Sequence, residues 1–365
     1  MNRLIVRALA ADGMHDLTIF QVNHWNNLHK SLNQLKVLVF EYISGGGFAG
    51  RALPAKLAAE GALMLQALLD ELKPLSALEI LLLLDERCRD FSLPLNTEVI
   101  GVEAETDWHP LWAKVLGQAD CVWPIAPETD GLLAELARQV LAAGKTLLLS
   151  EPGTVALCAD KLQTYHCLLA HGLAAVPSCR LNEYAPRPFA PTVIKPIDGV
   201  GCEGNRILSD IAEFDGAWLS LGAATHGYLA QPLLPGRAVS LSCLFKQGQG
   251  WLLCCNEQQV AVSAGQFSLQ GCRVNTANPR RDGYQTMVAQ VAEALPGLWG
   301  YVGIDLIETD EYGPLILEIN PRLTTSYVGI QQATGINVAE QVLQLLQGVP
   351  QLKPVVDHTV NISID

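Results

Sequence analysis

Positive charge is scarce in this chain, whose 365 residues include 24 Lys and Arg against 37 Asp and Glu, a formal net charge of −13. A surface of that sign repels phosphate backbones and anionic headgroups. Nucleic acid and membranes are therefore poor partners, and only a local basic pocket for a small anion stays compatible. Charged residues of both signs make up just 17%, against 49% hydrophobic, a balance that excludes intrinsic disorder. Long apolar runs are missing too. The densest, 80–84, is closed by Glu79 and Asp85 and falls far short of the roughly 18 uninterrupted apolar residues of a membrane-spanning helix. None of the ten cysteines stands in a CxxC pair, so structural zinc is not indicated. Arg7 breaks the early apolar run 4–11, which argues against a cleavable leader. The expectation is a cytoplasmic protein whose thiols are reduced and act as small buried hydrophobes, Cys254 and Cys255 among them.

At roughly 100 to 200 residues per domain, the length predicts two or three domains. Residues 1–35, with Trp25 and scattered Asn and His, show no periodicity and form an extension without an assigned role. From 36 to 150, β-rich runs at 37–42, 78–85, 120–125 and 146–150 alternate with helical patterns at 55–72, where Pro54 marks the start, and at 131–143. Such alternation predicts a parallel sheet covered on both faces. Beyond residue 150 the pattern becomes α+β with antiparallel pairing. It holds a helix at 160–172 ended by glycine, a strand at 191–196, and strands from 228 onward with turns at Pro235-Gly236 and 247–250. A helix at 285–295, strands at 301–308 and 314–320 and a last helix at 338–346 follow. The expected fold class is an α/β domain joined near residue 150 to an α+β unit.

Three patterns carry chemistry. Gly45-Gly46-Gly47-Phe48-Ala49-Gly50 follows the first strand and formally satisfies GxGxxG. A dinucleotide fold places an acidic residue about 20 positions on, whereas Asp85 and Glu86 come 35 and 36 residues after Gly50. A tight turn, or main-chain N–H groups that hold an anionic substrate group, are the competing uses. In the hairpin 300–322, a four-residue turn at 310–313 sets Thr309 opposite Pro314 and Asp305 opposite Glu318. Val302, Ile304, Leu306, Leu315, Leu317 and Ile319 then share an apolar face, while Asp305, Glu318 and Asn320 share the other. Carboxylates directly opposite each other cost up to about 1 kcal/mol unless a cation lies between them, and three hard oxygen ligands suit Mg²⁺ or Mn²⁺ bound together with substrate phosphates. Third, a strand ending in Lys195 runs into Asp198-Gly199-Val200-Gly201-Cys202-Glu203-Gly204. The N–H groups of such a loop can meet phosphate oxygens beside a compact positive charge, although the GKS or GKT ending of a P-loop is absent.

Lys161 in ADKLQTYHCLLAHGL, Lys195 in VIKP, the DGVGCEG loop, the AQPLLPG segment and the Asp305, Glu318, Asn320 trio occur in the order and spacing of the ATP-grasp superfamily, which the chain resembles over 155–346. The resemblance implies ATP held between two α+β subdomains, a small lid at 151–232 and a larger one at 233–350 with the metal site. A pre-ATP-grasp β/α domain at 36–150 precedes them and a short segment at 351–365 follows. It implies that Lys161 and Lys195 reach the phosphates, that Gly199, Gly201 and Gly204 close over them, and that the main chain around Gln231 and Leu233 holds the adenine edge. Asp305, Glu318 and Asn320 hold Mg²⁺ or Mn²⁺ in this reading, and Arg322 meets the transferred phosphoryl group. In one departure, many members carry Glu after the hinge glycine, whereas Arg237 follows Gly236 here. Within the superfamily, KVLVFEYISGGG, WPIAPETDGLL and EINPRLTTSYVGI are most similar to the tyramine-glutamate ligases of methanofuran biosynthesis and their bacterial relatives. That similarity puts Glu41, Tyr42, Ser44, Glu128, Thr324, Thr325 and Ser326 in the substrate pocket. The residues themselves leave alternatives open: Tyr42 as core, Glu128 as part of a solvated loop, and Thr-Thr-Ser as a turn cap.

The implied activity is ATP- and Mg²⁺-dependent ligation of a small-molecule carboxylate to an amine through an acyl phosphate, with ADP released. Glutamate and tyramine or a similar amine are the implied substrates. This chemistry needs positioning and charge neutralisation rather than a protein nucleophile, and no Ser-His or Cys-His pair stands out. Competing readings are a D-alanine-D-alanine-type or other peptide ligase, a nucleotide-binding module without turnover, and a dehydrogenase built on the first glycine loop.

Overall fold

The computed structural model describes residues 35–103, 105–185 and 189–364; apart from Leu35, the N-terminal extension lies outside them. Strands β1 (Lys36–Glu41), β2 (Glu79–Asp85), β3 (Thr97–Val102), β4 (Cys121–Ile125) and β5 (Thr146–Leu147) form a parallel sheet in the order β3-β2-β1-β4-β5. The near-continuous apolar runs of β1, β2 and β4 are buried, as in a parallel sheet with both faces covered. One face packs on helix Ala55–Leu72, through Leu65, Leu68 and Leu72. Helices His109–Gln118 and Leu132–Ala142 cover the other. Because the chain leaves β1 for β2 on one side and returns to β4 on the other, a crevice opens at the carboxyl ends of β1 and β4, where Glu41 lies beside Ile125.

The first glycine loop is a tight turn and neither a dinucleotide cradle nor an anion site. Residues Ile43–Gly47 coil with a kink at Gly46, whose φ is 100°. The N–H groups of Ile43 and Ser44 go to the Glu41 carboxylate, and that of Gly47 to the Tyr42 carbonyl. Tyr42 lies so close under Gly47 that a Cβ there has no room, which is why glycine occupies the position.

Strands β6 (Cys179–Arg180), β7 (Thr192–Pro196), β8 (Arg206–Leu208), β9 (Tyr228–Pro232), β10 (Arg237–Lys246), β11 (Gln249–Ser263), β12 (Gln266–Val274), β13 (Gly300–Thr309), β14 (Gly313–Asn320) and β15 (Val360–Ser363) make a second, antiparallel sheet. Its order is β14-β13-β10-β11-β12-β8-β7-β9-β6, with β15 on β12. The smaller half, β6 to β9 with helix Ile211–Leu221, keeps its own core of Leu181, Ile194, Leu208, Phe214, Ala217 and Ala230, and meets the larger half at Gln266 and Arg206. Helices Pro152–Ala159 and Lys161–Ala170 do not belong to that smaller core. Cys158, Leu168, Leu173 and Ala175 are buried with Val302, Ile304 and Ile316 under the larger half, so the stretch that the sequence reading put at the start of the lid is part of the platform instead.

The parallel sheet and the platform share one core, in which Leu65, Leu68, Tyr327, Val338 and Val342 bury together. Glu71 sits in this seam. It is buried, and its Oε2 accepts hydrogen bonds from the Tyr327 hydroxyl and the Ala339 N–H, both at 2.7 Å. Burial outweighs those donors and pushes its carboxyl up to about 7 from an ordinary value of 4.5. The folded protein therefore holds a proton that the unfolded chain has released, and stability falls as pH rises from about 4.5 to about 7. Glu71→Gln removes the titrating group and keeps an acceptor. Chemical denaturation at pH 5 and pH 8 is expected to show a loss with pH that is smaller in the variant by about 2 to 3 kcal/mol. Equal losses in both proteins refute a neutral Glu71.

Candidate active site

The hairpin of β13 and β14 supplies the two facing carboxylates by a route that differs from the expected one. Thr309 pairs with Gly313 rather than Pro314, so the turn is one residue shorter, and a bulge between Asp305 and Leu306 restores the pairing of Asp305 with Glu318. The bulge exchanges two neighbours. Ile316 takes the core place beside Leu306, and Leu317, expected on the apolar core face, lines a cleft. Asp305 accepts hydrogen bonds from Gln258 Nε2 at 2.9 Å and Asn320 Nδ2 at 3.1 Å.

That cleft, about 550 Å³, lies between the carboxyl edge of the parallel sheet, the platform and the smaller half. Lys161 opens its helix because the Asp160 side chain caps the N–H groups of Leu162 and Gln163. Its Nζ donates to the Gly199 carbonyl and lies 3.6 Å from Glu318 Oε2. Lys195, near the end of β7, is buried, and its Nζ makes no hydrogen bond or ion pair among the described residues. Burial, and then the like charge of Lys161, pull its ammonium down to about 8 against the pull of Glu318 and Asp305. Burial also acts on Glu318, but Lys161 and Lys195 outweigh it and hold that carboxyl at about 2. Asp305 moves the other way, well above the ordinary range, because it is buried and faces the charged Glu318. Arg322 Nε donates to Glu128 Oε2 at 2.7 Å, and Glu128 Oε1 is buried with no hydrogen-bond partner among the described residues.

Gly199, Gly201, Gln231, Leu233, Asn320, Thr324, Thr325 and Ser326 line the same cleft, and so does Glu41. Several expected roles need correction. Gly204 packs against Pro196, where a Cβ would come within 2.8 Å, and does not face the cleft. Of the main chain around Gln231 and Leu233 expected to hold the adenine edge, the Leu233 N–H already donates to the Pro191 carbonyl at 2.9 Å, and the Gln231 side chain donates to Ser178. Tyr42 stacks edge-on with Phe40, Phe48 and Trp108, and Ser44 is buried in the turn behind Glu41, so neither lines the cleft. Glu128 does not line it either and reaches the site through Arg322. Arg237 pairs with Glu308 at the cleft rim.

Two residues that the sequence reading passed over also stand in the site. Gln258 on β11 holds Asp305 from two strands away, across β10, a contact no local pattern reveals. Glu60 lies on the face of helix Ala55–Leu72 that carries Leu57, Gly61 and Met64, all lining the cleft. A carboxylate in the middle of an apolar i, i+3, i+4, i+7 stripe was the available signal. Gly61 is needed there, because a Cβ would come within 2.7 Å of Glu41 Oε1.

The donor set fits a hard divalent cation. Two carboxylates and the Asn320 amide line one space beside two lysines, and the amides of Asn320 and Gln258 both turn to Asp305. A ligand carrying several negative oxygens and a bound cation satisfies the lysines and the carboxylates together.

Residues 78–155 match the pre ATP-grasp 3 domain, and residues 158–326 match the ATP-grasp domain. The chain is 25% identical over 303 residues to tyramine–L-glutamate ligase of Methanocaldococcus fervens, covering 81% of this chain and 89% of that one. To the ligase of the same name from Methanocaldococcus jannaschii it is 24% identical over 314 residues, covering 84% and 88%. Among solved structures, an ATP-grasp superfamily protein from Archaeoglobus fulgidus superposes with a TM-score of 0.65 at 23% identity, covering 91% of this chain and all of that one. With a pre-ATP-grasp sheet feeding an antiparallel platform and lid around a lysine-lined, carboxylate-paired cleft, the chain belongs to the ATP-grasp superfamily and is an ADP-forming carbon–nitrogen ligase.

Proposed function

We propose that this enzyme joins the side-chain carboxylate of glutamate to tyramine or a similar amine, as a step in making a methanofuran-type or methylofuran-type cofactor. The observation that carries the ligase chemistry is the convergence of Lys161, Lys195, Asp305, Glu318 and Arg322 on one cleft that opens onto the carboxyl edge of the parallel sheet. The choice of glutamate and tyramine is supported by the two relatives.

In this reading Lys161, Lys195 and the N–H groups of Gly199 and Gly201 neutralise the ATP phosphates, while Asp305, Glu318 and Asn320 hold Mg²⁺ or Mn²⁺. The bound cation supplies charge neutralisation at the terminal phosphates. A substrate carboxylate oxygen attacks the γ-phosphorus and ADP leaves. Arg322, kept in place by Glu128, stabilises the negative charge on the transferred group. The amine then attacks the acyl carbon, and phosphate departs with the electrons of the broken C–O bond.

Incubation with ATP, Mg²⁺, isotope-labelled glutamate and tyramine is expected to give a γ-glutamyl amide with ADP and phosphate, read by mass spectrometry. AMP as the product refutes acyl-phosphate chemistry. A different amide with ADP keeps the ligase and discards the substrate pair.

A further inference from the structure

The cleft has two ends of opposite character. The phosphate end is cationic, with Lys161 and Lys195 beside the metal-ligand pair. The end at the parallel sheet is walled by Ile43, Leu57, Met64, Ile125 and Pro127 and carries the carboxylates of Glu41 and Glu60. Among the described residues neither acid has an ion-pair partner, in contrast to Glu318 and Glu128, which face Lys161 and Arg322. Glu41 is turned inward, with both oxygens on the N–H groups of Ile43 and Ser44. Glu60 is different. Its Oε1 accepts one hydrogen bond, from Thr325 Oγ1 at 2.8 Å, and Oε2 has none among the described residues. Oε2 reaches toward the phosphate loop, 4.0 Å from where a Cβ on Gly201 would stand. Arg322 feels its charge without pairing with it. Glu60 thus lies between the loop expected over the phosphates and the arginine expected on the transferred group, with an apolar wall on its own helix face.

We infer that Glu60 binds the attacking amine as its ammonium ion and takes the proton whose loss frees the nitrogen lone pair for attack, and that the amine is a primary amine with an apolar body. This rests on the ligase reading above. A carboxylate with a free oxygen and no ion-pair partner among the described residues, the nearby Arg322 being paired with Glu128 instead, is matched by a ligand cation, and the wall of Leu57 and Met64 accepts apolar carbon next to it. The balance is as follows: R–NH₃⁺ gives one proton to Glu60, the free amine forms the C–N bond, and the C–O bond to phosphate breaks with its electron pair. The second nitrogen proton leaves with phosphate, and Glu60 returns its own to solvent.

Hydroxylamine separates this role from a structural one, because it is already neutral near pH 7.5 and traps an acyl phosphate as a hydroxamate without an ammonium to bind. Wild type and Glu60→Gln are compared with ATP, Mg²⁺ and glutamate, once with tyramine or phenethylamine and once with hydroxylamine. The variant is expected to lose amide formation by about 10²- to 10⁴-fold while hydroxamate and ADP stay within roughly threefold of wild type. Amide formation at the wild-type rate overturns the proposal, and so does an equal fall of amide and hydroxamate, which makes Glu60 a support for the activation step. Hydroxamate in the wild type with no amide from any apolar-bodied amine overturns the amine class. Wild type that yields neither hydroxamate nor ADP with any carboxylate removes the ligase reading itself, a failure distinct from the others.

Discussion

Asp305→Asn is expected to abolish turnover, by on the order of 10³-fold or more, yet to leave the metal-free protein as stable as the natural one or more so. Glu318→Gln is expected to abolish turnover equally and to destabilise. Treated as a bare pair of like charges on a hairpin, the two acids look interchangeable, and losing either relieves repulsion. The surroundings make them unequal. Glu318 answers the positive charges of Lys161, at 3.6 Å, and Lys195, and is held at about 2 by them. Asp305 has amide donors for neighbours and is pushed upward by burial and by Glu318. Asparagine at 305 keeps the shape of the side chain, and Asn320 or Gln258 can turn its amide to suit. Glutamine at 318 leaves a buried lysine beside a second one without their anion, a loss of about 3 kcal/mol. Melting in EDTA is the measurement. Glu318→Gln melting at or above wild type refutes the charge balance, and Mg²⁺-dependent activity surviving in either variant refutes the metal assignment.

Lys195→Met is expected to raise the apparent KM for ATP by about 10- to 100-fold, with smaller effects on the carboxylate and the amine. The variant removes a charge-assisted contact to phosphate, worth about 1.5 to 3 kcal/mol, from a position remote from the sheet edge where the acceptor is expected. In the free enzyme burial and Lys161 bring the Lys195 ammonium down to about 8, so its positive charge is present below that pH and lost above it. Affinity for ATP should therefore fall in wild type as pH rises through about 8, and the part of that fall due to Lys195 should vanish in the variant. Calorimetry with a non-hydrolysable ATP analogue between pH 7 and 9 tests this. Unchanged affinity in Lys195→Met refutes the phosphate role.

Elements stated by short-range physics were legible in the residues. Helix Ala55–Leu72 follows from Pro54 and an apolar stripe, Lys161 stands at a helix start because Asp160 caps it, and the buried parallel strands announce themselves as unbroken apolar runs. The facing of Asp305 and Glu318 could be read as well, since both strands belong to one hairpin. That reading reached the right pair through a turn one residue too long. The bulge that compensates, and that turns Leu317 into the cleft, falls on β14, where Ile316 exchanges main-chain hydrogen bonds with Ala174 and Val176, far away in the chain. The remaining parts of the site join residues far apart in the chain: Arg322 with Glu128, Thr325 with Glu60, Gln258 with Asp305. No periodicity or turn rule links such positions, because the first two contacts follow from how the parallel-sheet domain docks on the platform and the third from the strand order of the platform sheet. Packing also decided against the motif reading of Tyr42, Ser44 and Gly204, which are used up by a stacked ring cluster, a tight turn and Pro196. A pattern of residue types states what chemistry a segment can perform, whereas burial and neighbouring charge decide which of its groups remain free to perform it.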